Sequence, residues 1–468
     1  MNYIVIDQGT SSTKGFLINF DGQILHSNKI NYKLDNPKPF HFECNPMSIL
    51  NDIELLFNEM IQASGAKKII STGFAFQRST FLFWNKLTCK PLTPAISWQD
   101  SRATEVIKPL FEYNDKFWNI TGAPLSAHFG GPKFMYMLKN NKLLRQKIRD
   151  NEIYFGPLSS FITHAATKKP AIDESIICRT LMYNLQKGKW SDFATNLFNT
   201  PKQCLPPIKP VKHDYGLLFD SMIPLNVVIG DQQAALIGQN QLINNSIGSN
   251  FGTSASIQFN TGNRPVNVPG LISSILFSEN KKKTFMVEGT INGCNSLFYH
   301  LENVLSIPHN KMVWHERIKN IKTSGIFIPG FNGLSAPYWK TGFNDIYVDL
   351  KNNKDQIIRA GMESIGFLIY DILEKLREAG LKVPEILNAS GGSARPVLLQ
   401  FISDLTKLKI GHYNVLDQTA IGVSKILRDS LFKNNNDKLR VFSPNQLANR
   451  SMKLSKWKRI IIEKKIGR

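Results

Sequence analysis

The sequence predicts an α/β protein of two related domains, residues 1–240 and 241–468, facing each other across a cleft. Three observations lead there. An apolar N-terminal run, residues 1–6, meets Asp7-Gln8-Gly9-Thr10-Ser11-Ser12-Thr13-Lys14 and returns as a second apolar run, residues 15–20. About 240 residues later the same strand–turn–strand pattern recurs over residues 246–259, with Phe251-Gly252-Thr253-Ser254 at its turn. Buried-strand and helix spacings alternate between the two, the mark of layered α/β domains.

The elements follow in order. Asp21-Gly22 reads as a hairpin turn into residues 23–25. Residues 46–64 carry helical spacing (Ile49, Leu50, Ile53, Leu56, Phe57, Met60, Ile61), with Asn45 as N-cap and Gly65 as stop. Residues 69–76 and 81–84 read as buried strands. Residues 115–150 read as helical at both ends, broken by Gly and Pro between Gly122 and Pro132, and residues 175–185 as extended before a helix near Ser191. A strand at 225–229 turns helical at Gly230-Asp231-Gln232-Gln233. A long helix at 355–380 precedes a strand at 385–387 and Ser390-Gly391-Gly392.

Composition bounds the function classes. Hydrophobic content of 42% and charged content of 20% suit a globular chain, and no apolar run reaches a membrane span's length. The short first run lacks a basic leader and reads as a core strand, not a signal peptide. Five scattered cysteines without CxxC spacing predict reduced thiols in a cytoplasmic protein. The net charge of +21 invites a nucleic-acid reading, but lysines spread along the chain without finger, aromatic-box or Arg-rich patterns favour solvated surface charge. No nucleic-acid or membrane partner is expected, and a homo-oligomer stays open.

The opening turn carries the chemistry. Gly9, Thr10, Ser11 and Ser12 offer N–H and hydroxyl groups to phosphate oxygens, and Asp7 at the strand end can hold a hydrated Mg²⁺. Asp231, between a strand and a helix, reads either as a proton acceptor facing the cleft or as a helix N-cap.

At this point the chain resembles the FGGY family of carbohydrate kinases, and within it the glycerol kinases. Nine segments in the family's order carry the likeness, among them Asp7–Lys14, Phe76-Gln77-Arg78-Ser79-Thr80, Ser97-Trp98-Gln99-Asp100, Gly230–Ala235, Phe251–Ser254, residues 288–293, residues 329–339, Ser390-Gly391-Gly392 and Thr419-Ala420-Ile421-Gly422. The resemblance implies two RNase-H-like (actin-like ATPase) domains flanking a central cleft, with ATP and Mg²⁺ as cofactors. It further implies Asp231 as catalytic base and Asp7 at the metal. Gly9, Thr10, Ser11, Ser12, Gly252 and Thr253 would lie on phosphates, and Gly391 and Gly392 on adenosine. Lys14, where the family commonly has Arg, either reaches phosphate or faces solvent.

On the substrate side the expected residues are Gln77, Arg78, Trp98, Asp100, His128 and Gln232. Arg78 would fork onto neighbouring hydroxyls; Trp98 is a polyol platform or a core residue, and His128 lines the ligand or packs. Glycerol kinases carry Glu after this Arg and Tyr where His128 stands. Here Ser79 and His128 remove two groups that would grip a small triol, which suits a larger or differently oriented polyol. Lys340 and Arg395-Pro396 also depart from the family pattern, near the nucleotide. The implied activity is ATP-dependent phosphorylation of a small sugar or polyol. A pentulose (xylulose- or ribulose-type) kinase and a catalytically degenerate sugar or nucleotide sensor are the alternatives.

Overall fold

The computed structural model describes residues 1–139, 141–239, 242–350, 353–413, 417–430, 439–445 and 450–466. The predicted domain boundary between residues 240 and 241 lies outside them. Thirteen strands form one sheet: β1 (Asn2–Gln8), β2 (Ser12–Asn19), β3 (Ile24–Asn31), β4 (Ile69–Phe76), β5 (Lys212–Leu217), β6 (Pro224–Gly230), β7 (Ile247–Phe251), β8 (Ala255–Gly262), β9 (Ile272–Glu279), β10 (Lys282–Ile291), β11 (Ile386–Ser390), β12 (Lys409–Tyr413) and β13 (Leu439–Phe442). The helices that matter below are α1 (Pro46–Ser64), α2 (Asp231–Gly238), α3 (Lys354–Glu378), α4 (Gln418–Leu427) and α5 (Ser451–Glu463).

The strand order is β13-β12-β11-β7-β8-β10-β9-β5-β6-β4-β1-β2-β3. It contains the same unit twice. In the N-terminal half, β1, β2 and β3 are an antiparallel meander, while β4 and then β6 add parallel to β1. In the C-terminal half, β7, β8 and β10 repeat the meander, while β11 and then β12 add parallel to β7. The sequence echo is therefore a repeated topology. Among the described residues the two half-sheets pair only where Lys212 of β5 meets Glu279 of β9.

Local physics explains the parts. Asn45 Oδ1 accepts the Met47 and Ser48 N–H groups and starts α1; Gly65, at φ +57°, ends it. Ile49, Ile53, Leu56, Phe57 and Met60 bury its apolar face. At the far end, α5 buries Trp457, whose ring stacks on Phe367 of α3 at 5.2 Å and whose Nε1 donates to Asp371. Its lysines pair with acids: Lys453 with Glu363, Lys456 with Asp349 at 2.6 Å and Lys458 with Asp371 at 2.6 Å, so the basic tail is a packed helix. No helix among the described residues is long and apolar enough to cross a membrane.

Two expectations are corrected. The break between residues 115 and 150 spans only 122–129, because Gly130-Gly131-Pro132 start a helix (Gly130–Lys139); Pro is tolerated in a first turn that lacks N–H partners. Residues 175–185 are not extended: a 3₁₀ turn at Ile177–Thr180 and a two-residue strand at Tyr183–Asn184 replace the strand.

Candidate active site

Parallel register builds the site. Gln8 and Gly230 both align with Phe76, so β1, β4 and β6 end in one row. The residues just past that row, Gly9, Gln77-Arg78 and Asp231, share the carboxyl edge where α/β sheets bind ligands. With β4 between β1 and β6, Asp7 and Asp231 stand about two strand spacings, roughly 10 Å, apart along the sheet. In the other half Asn250 aligns with Ser390, placing the Gly252 turn beside Gly391. The halves touch at this edge, where Ser256 Oγ of β8 donates to Gln232 Oε1 at 3.0 Å.

The two turns are each three residues long, 9–11 and 252–254, and each opens on a glycine whose N–H is bonded back across the turn. Gly9 N donates to Ser12 O at 2.9 Å, and Gly252 N to Ser254 O at 2.9 Å. Thr253 O accepts the Cys294 and Ser296 N–H groups at 3.1 Å, leaving its side chain exposed. Ser11 is exposed and Thr10 and Ser12 half-buried, with Ser12 already in β2. Gly391 has φ +99°, and a Cβ there would lie 2.3 Å from Phe251 O, so only glycine fits. Gly392 faces open space.

The acids are electrostatically coupled. Burial first, then the charge of Asp231, raises the Asp7 pKa to about 7; Lys14 opposes this and Asp417 adds to it. Burial also raises the Asp231 pKa, with Arg78 opposing. Asp231 is not an N-cap: Gly230 occupies that position, and Asp231 Oδ1 accepts the Gln232 N–H at 2.7 Å and lies 3.7 Å from Arg78 Nε.

The substrate-side residues divide. Trp98 is half-buried, its Nε1 donating to Thr10 Oγ1 at 2.9 Å, so the indole is tied to the phosphate turn. His128 is exposed, its Nδ1 2.9 Å from Trp98 O. Two expectations change. Gln77 is turned inward, donating to Gln8 Oε1 and Tyr32 OH at 3.2 and 2.9 Å. Asp100 is fully buried, its carboxylate accepting from Phe42 N and from the Arg102 backbone and guanidinium. Both brace loops, because burial leaves their polar atoms no route to a ligand. Arg78 also differs from expectation: its fork is spent on Glu288 at 2.6 and 2.8 Å. Lys14 pairs with Asp417 at 2.8 Å, across 403 residues, instead of standing free in solvent.

Sequence reasoning missed Glu288, Arg179, Asp417 and Lys133. Lys133 is fully buried, its Nζ donating to Ser79 O and Ser97 O at 2.7 Å each. It ties together the two loops that carry Arg78 and Trp98, and Ser79 there adopts φ +64°. Burial pushes its pKa from 10.5 down to about 7. A neutral amine still supplies two N–H donors for two carbonyls. Between pH 7 and 10.5 the unfolded chain then binds the extra proton, so Lys133 adds stability as pH rises. In melting experiments the advantage of the wild type over Lys133→Met should widen from pH 7 to 9. A pH-independent gap would contradict the assignment.

Two repeated α/β units, each with a Gly-hydroxyl turn at its carboxyl edge, and two acids at the carboxyl ends of β1 and β6 give this chain the two-domain arrangement of the actin-like ATPase fold. Residues 2–238 match the N-terminal domain of the FGGY family of carbohydrate kinases, and residues 248–426 its C-terminal domain. The chain belongs to that family. It is 30% identical over 437 residues to the glycerol kinase of Caldanaerobacter subterraneus subsp. tengcongensis, covering 90% of this chain and 88% of that protein. Glycerol kinase 1 of Clostridium tetani is 31% identical over the same length and shares. The solved Plasmodium falciparum glycerol kinase with ADP superposes with a TM-score of 0.87 at 27% identity, covering 99% of this chain and 98% of that one. A xylulose kinase from Lactobacillus acidophilus shares the fold, with a TM-score of 0.85 at 19% identity over 99% and 96%. The protein is thus an ATP-dependent carbohydrate kinase acting on a hydroxyl group.

Proposed function

We propose that the protein transfers the γ-phosphoryl group of ATP to a hydroxyl of a polyol or ketose larger than glycerol, with Asp231 as the base. One observation carries this reading: Asp7 and Asp231 stand at the carboxyl ends of β1 and β6, the two strands that flank β4 in parallel, and the charge of Asp231 acts on Asp7. The acceptor oxygen attacks the γ-phosphorus, its proton passes to the Asp231 carboxylate, and the bond to the bridging oxygen breaks to release ADP. Gly9, Thr10, Ser11, Ser12, Gly252 and Thr253 hold phosphates, and Gly391 and Gly392 admit adenosine. Lys14, bound to Asp417, fixes the opening hairpin against the C-terminal half.

Asp7 suits Mg²⁺ because acids crowd it and a cation relieves that repulsion. Among the described residues no group of three or more His, Cys, Asp or Glu is placed to hold a metal. Asp7 would hold the ion through its water shell, and the ion would supply neutralisation of phosphate charge. Domains 1–240 and 241–468 would divide the work into sugar and nucleotide sides. All five cysteines are free and buried, which supports a cytoplasmic setting.

The substrate reading rests on Ser79 and His128, which leave the site without a carboxylate and a phenol. A coupled ADP-release assay over glycerol, erythritol, ribitol, xylitol, xylulose, ribulose and gluconate tests it. The highest kcat/KM is expected on a four- or five-carbon acceptor. Glycerol as the best substrate would overturn the size argument, and ATP-analogue binding without turnover on any acceptor would favour the sensor.

A further inference from the structure

Glu288 lies on β10, in the half opposite Arg78, and is fully buried. Both terminal nitrogens of Arg78 donate to it, and Arg179 of the 3₁₀ turn donates to the same Oε2 at 2.8 Å. One carboxylate thus holds two guanidiniums, and Arg78 Nε points back to Asp231 at 3.7 Å. We infer that Glu288, with Arg179, is a positioning residue that fixes Arg78 beside Asp231 and so ties the base's alignment to the seating of the second half of the molecule. The inference rests on Asp231 being the base.

The physical reason is like-charge repulsion. Burial alone would raise the Glu288 pKa, yet the two arginines hold it down to about 2. Burial and the neighbouring Arg78 charge bring Arg179 down to about 10. Without the carboxylate the guanidiniums repel one another. Arg78, with 11% of its side chain exposed against 5% for Arg179, is the one with a path to solvent. Asp231 would then lose its nearest cation.

The other flank of Asp231 is braced by the same stretch of chain. Ser175 Oγ accepts the Gly230 N–H at 2.9 Å and donates to Asp173 Oδ1, while Gln233 Nε2 donates to Ser175 O at 2.9 Å. Residues 173–179 therefore hold the turn bearing Asp231 from one side and Arg78, through Glu288, from the other. The charged groups facing Asp231 are Arg78, Arg179 and Glu288 on one side and Asp7 on the other, with Lys14 and Asp417 behind Asp7.

The test compares full-length wild type, Glu288→Gln, Glu288→Asp and Asp231→Asn. Each is assayed with ATP and the best acceptor of the panel, or by slow ATP hydrolysis if no acceptor reacts. Melting and binding of a non-hydrolysable ATP analogue check the fold. Glu288→Gln should lower kcat at least about ten-fold and move the acid limb of kcat/KM up by about one pH unit. Glu288→Asp should restore most of both. If Arg78 stayed in place, loss of the Glu288 charge would make Asp231 more acidic and move the limb down. An unmoved or lowered limb, or kcat within two-fold of wild type, overturns the inference. Should Glu288→Gln fail to fold, the double variant Glu288→Gln/Arg179→Met removes the repulsion itself, so Arg78 stays beside Asp231 and the acid limb is expected at or below the wild-type position; a limb raised by about one pH unit there overturns the inference. Turnover surviving in Asp231→Asn overturns the base assignment instead, whatever Glu288→Gln does.

Discussion

Replacing Asp231 by Asn should lower kcat by about 10²–10⁴ while leaving ATP-analogue affinity within a few-fold of wild type. The amide keeps the side chain's shape and an oxygen for the Gln232 N–H, so the helix start survives. What it loses is the negative charge and the capacity to take a proton. In the proposed reading the nucleotide lies on the Gly9, Gly252 and Gly391 turns, none of which bonds to the Asp231 carboxylate among the described contacts. Single-turnover measurement with bound ATP separates the two effects. Turnover within ten-fold of wild type would mean the proton leaves by another route.

The second large effect is expected at Gly422. Here α4, in the C-terminal part of the chain, crosses α2 so closely that a Cβ on Gly422 would lie 1.8 Å from Ala234 O and 2.9 Å from Gly238 N. The contact is reciprocal: a Cβ on Gly238 would lie 2.1 Å from Gln418 O. The obstructing atoms are helix backbone, which cannot swing aside as a side-chain tip would. Gly422→Ala must therefore part the helices, at a cost of about 3 kcal/mol. A fall in Tm on the order of 5–10 °C follows for domains of this size. Because α2 begins at Asp231, displacement should also lower kcat in the fraction that folds. An unchanged melting curve would show that the crossing relaxes without loss.

Much of this was legible in the sequence, for a physical reason. Strands, caps and tight turns are written locally, so the Asp7–Lys14 turn, the Asn45 cap and the Gly230-Asp231 junction could be read where they stand. The repeat was also visible, since both halves open on the same hairpin chemistry. The misread residues have partners far away in the chain. Arg78 meets Glu288 across 210 residues, Arg179 meets it across 109, and Lys14 meets Asp417 across 403. Nothing near Gln77 or Asp100 in sequence says that burial has claimed their polar atoms. Residues 175–185 were misread because their apolar content suits a strand, whereas a 3₁₀ turn is needed to aim Arg179 at Glu288.

The narrow seam between the half-sheets governs how the enzyme can move. Each half keeps its own ladder intact; the ladders join at one paired position, Lys212 and Glu279, whose side chains also form an ion pair at 3.1 Å, while the α2–α4 crossing, the Arg78–Glu288–Arg179 cluster and the Lys14–Asp417 pair hold the halves together beside it. Rocking one half against the other about this seam would break few ladder hydrogen bonds, so its cost is set by those helix and side-chain contacts. Substrates that bridge the halves would meet that cost from their binding energy, leaving the remainder to align the reacting atoms.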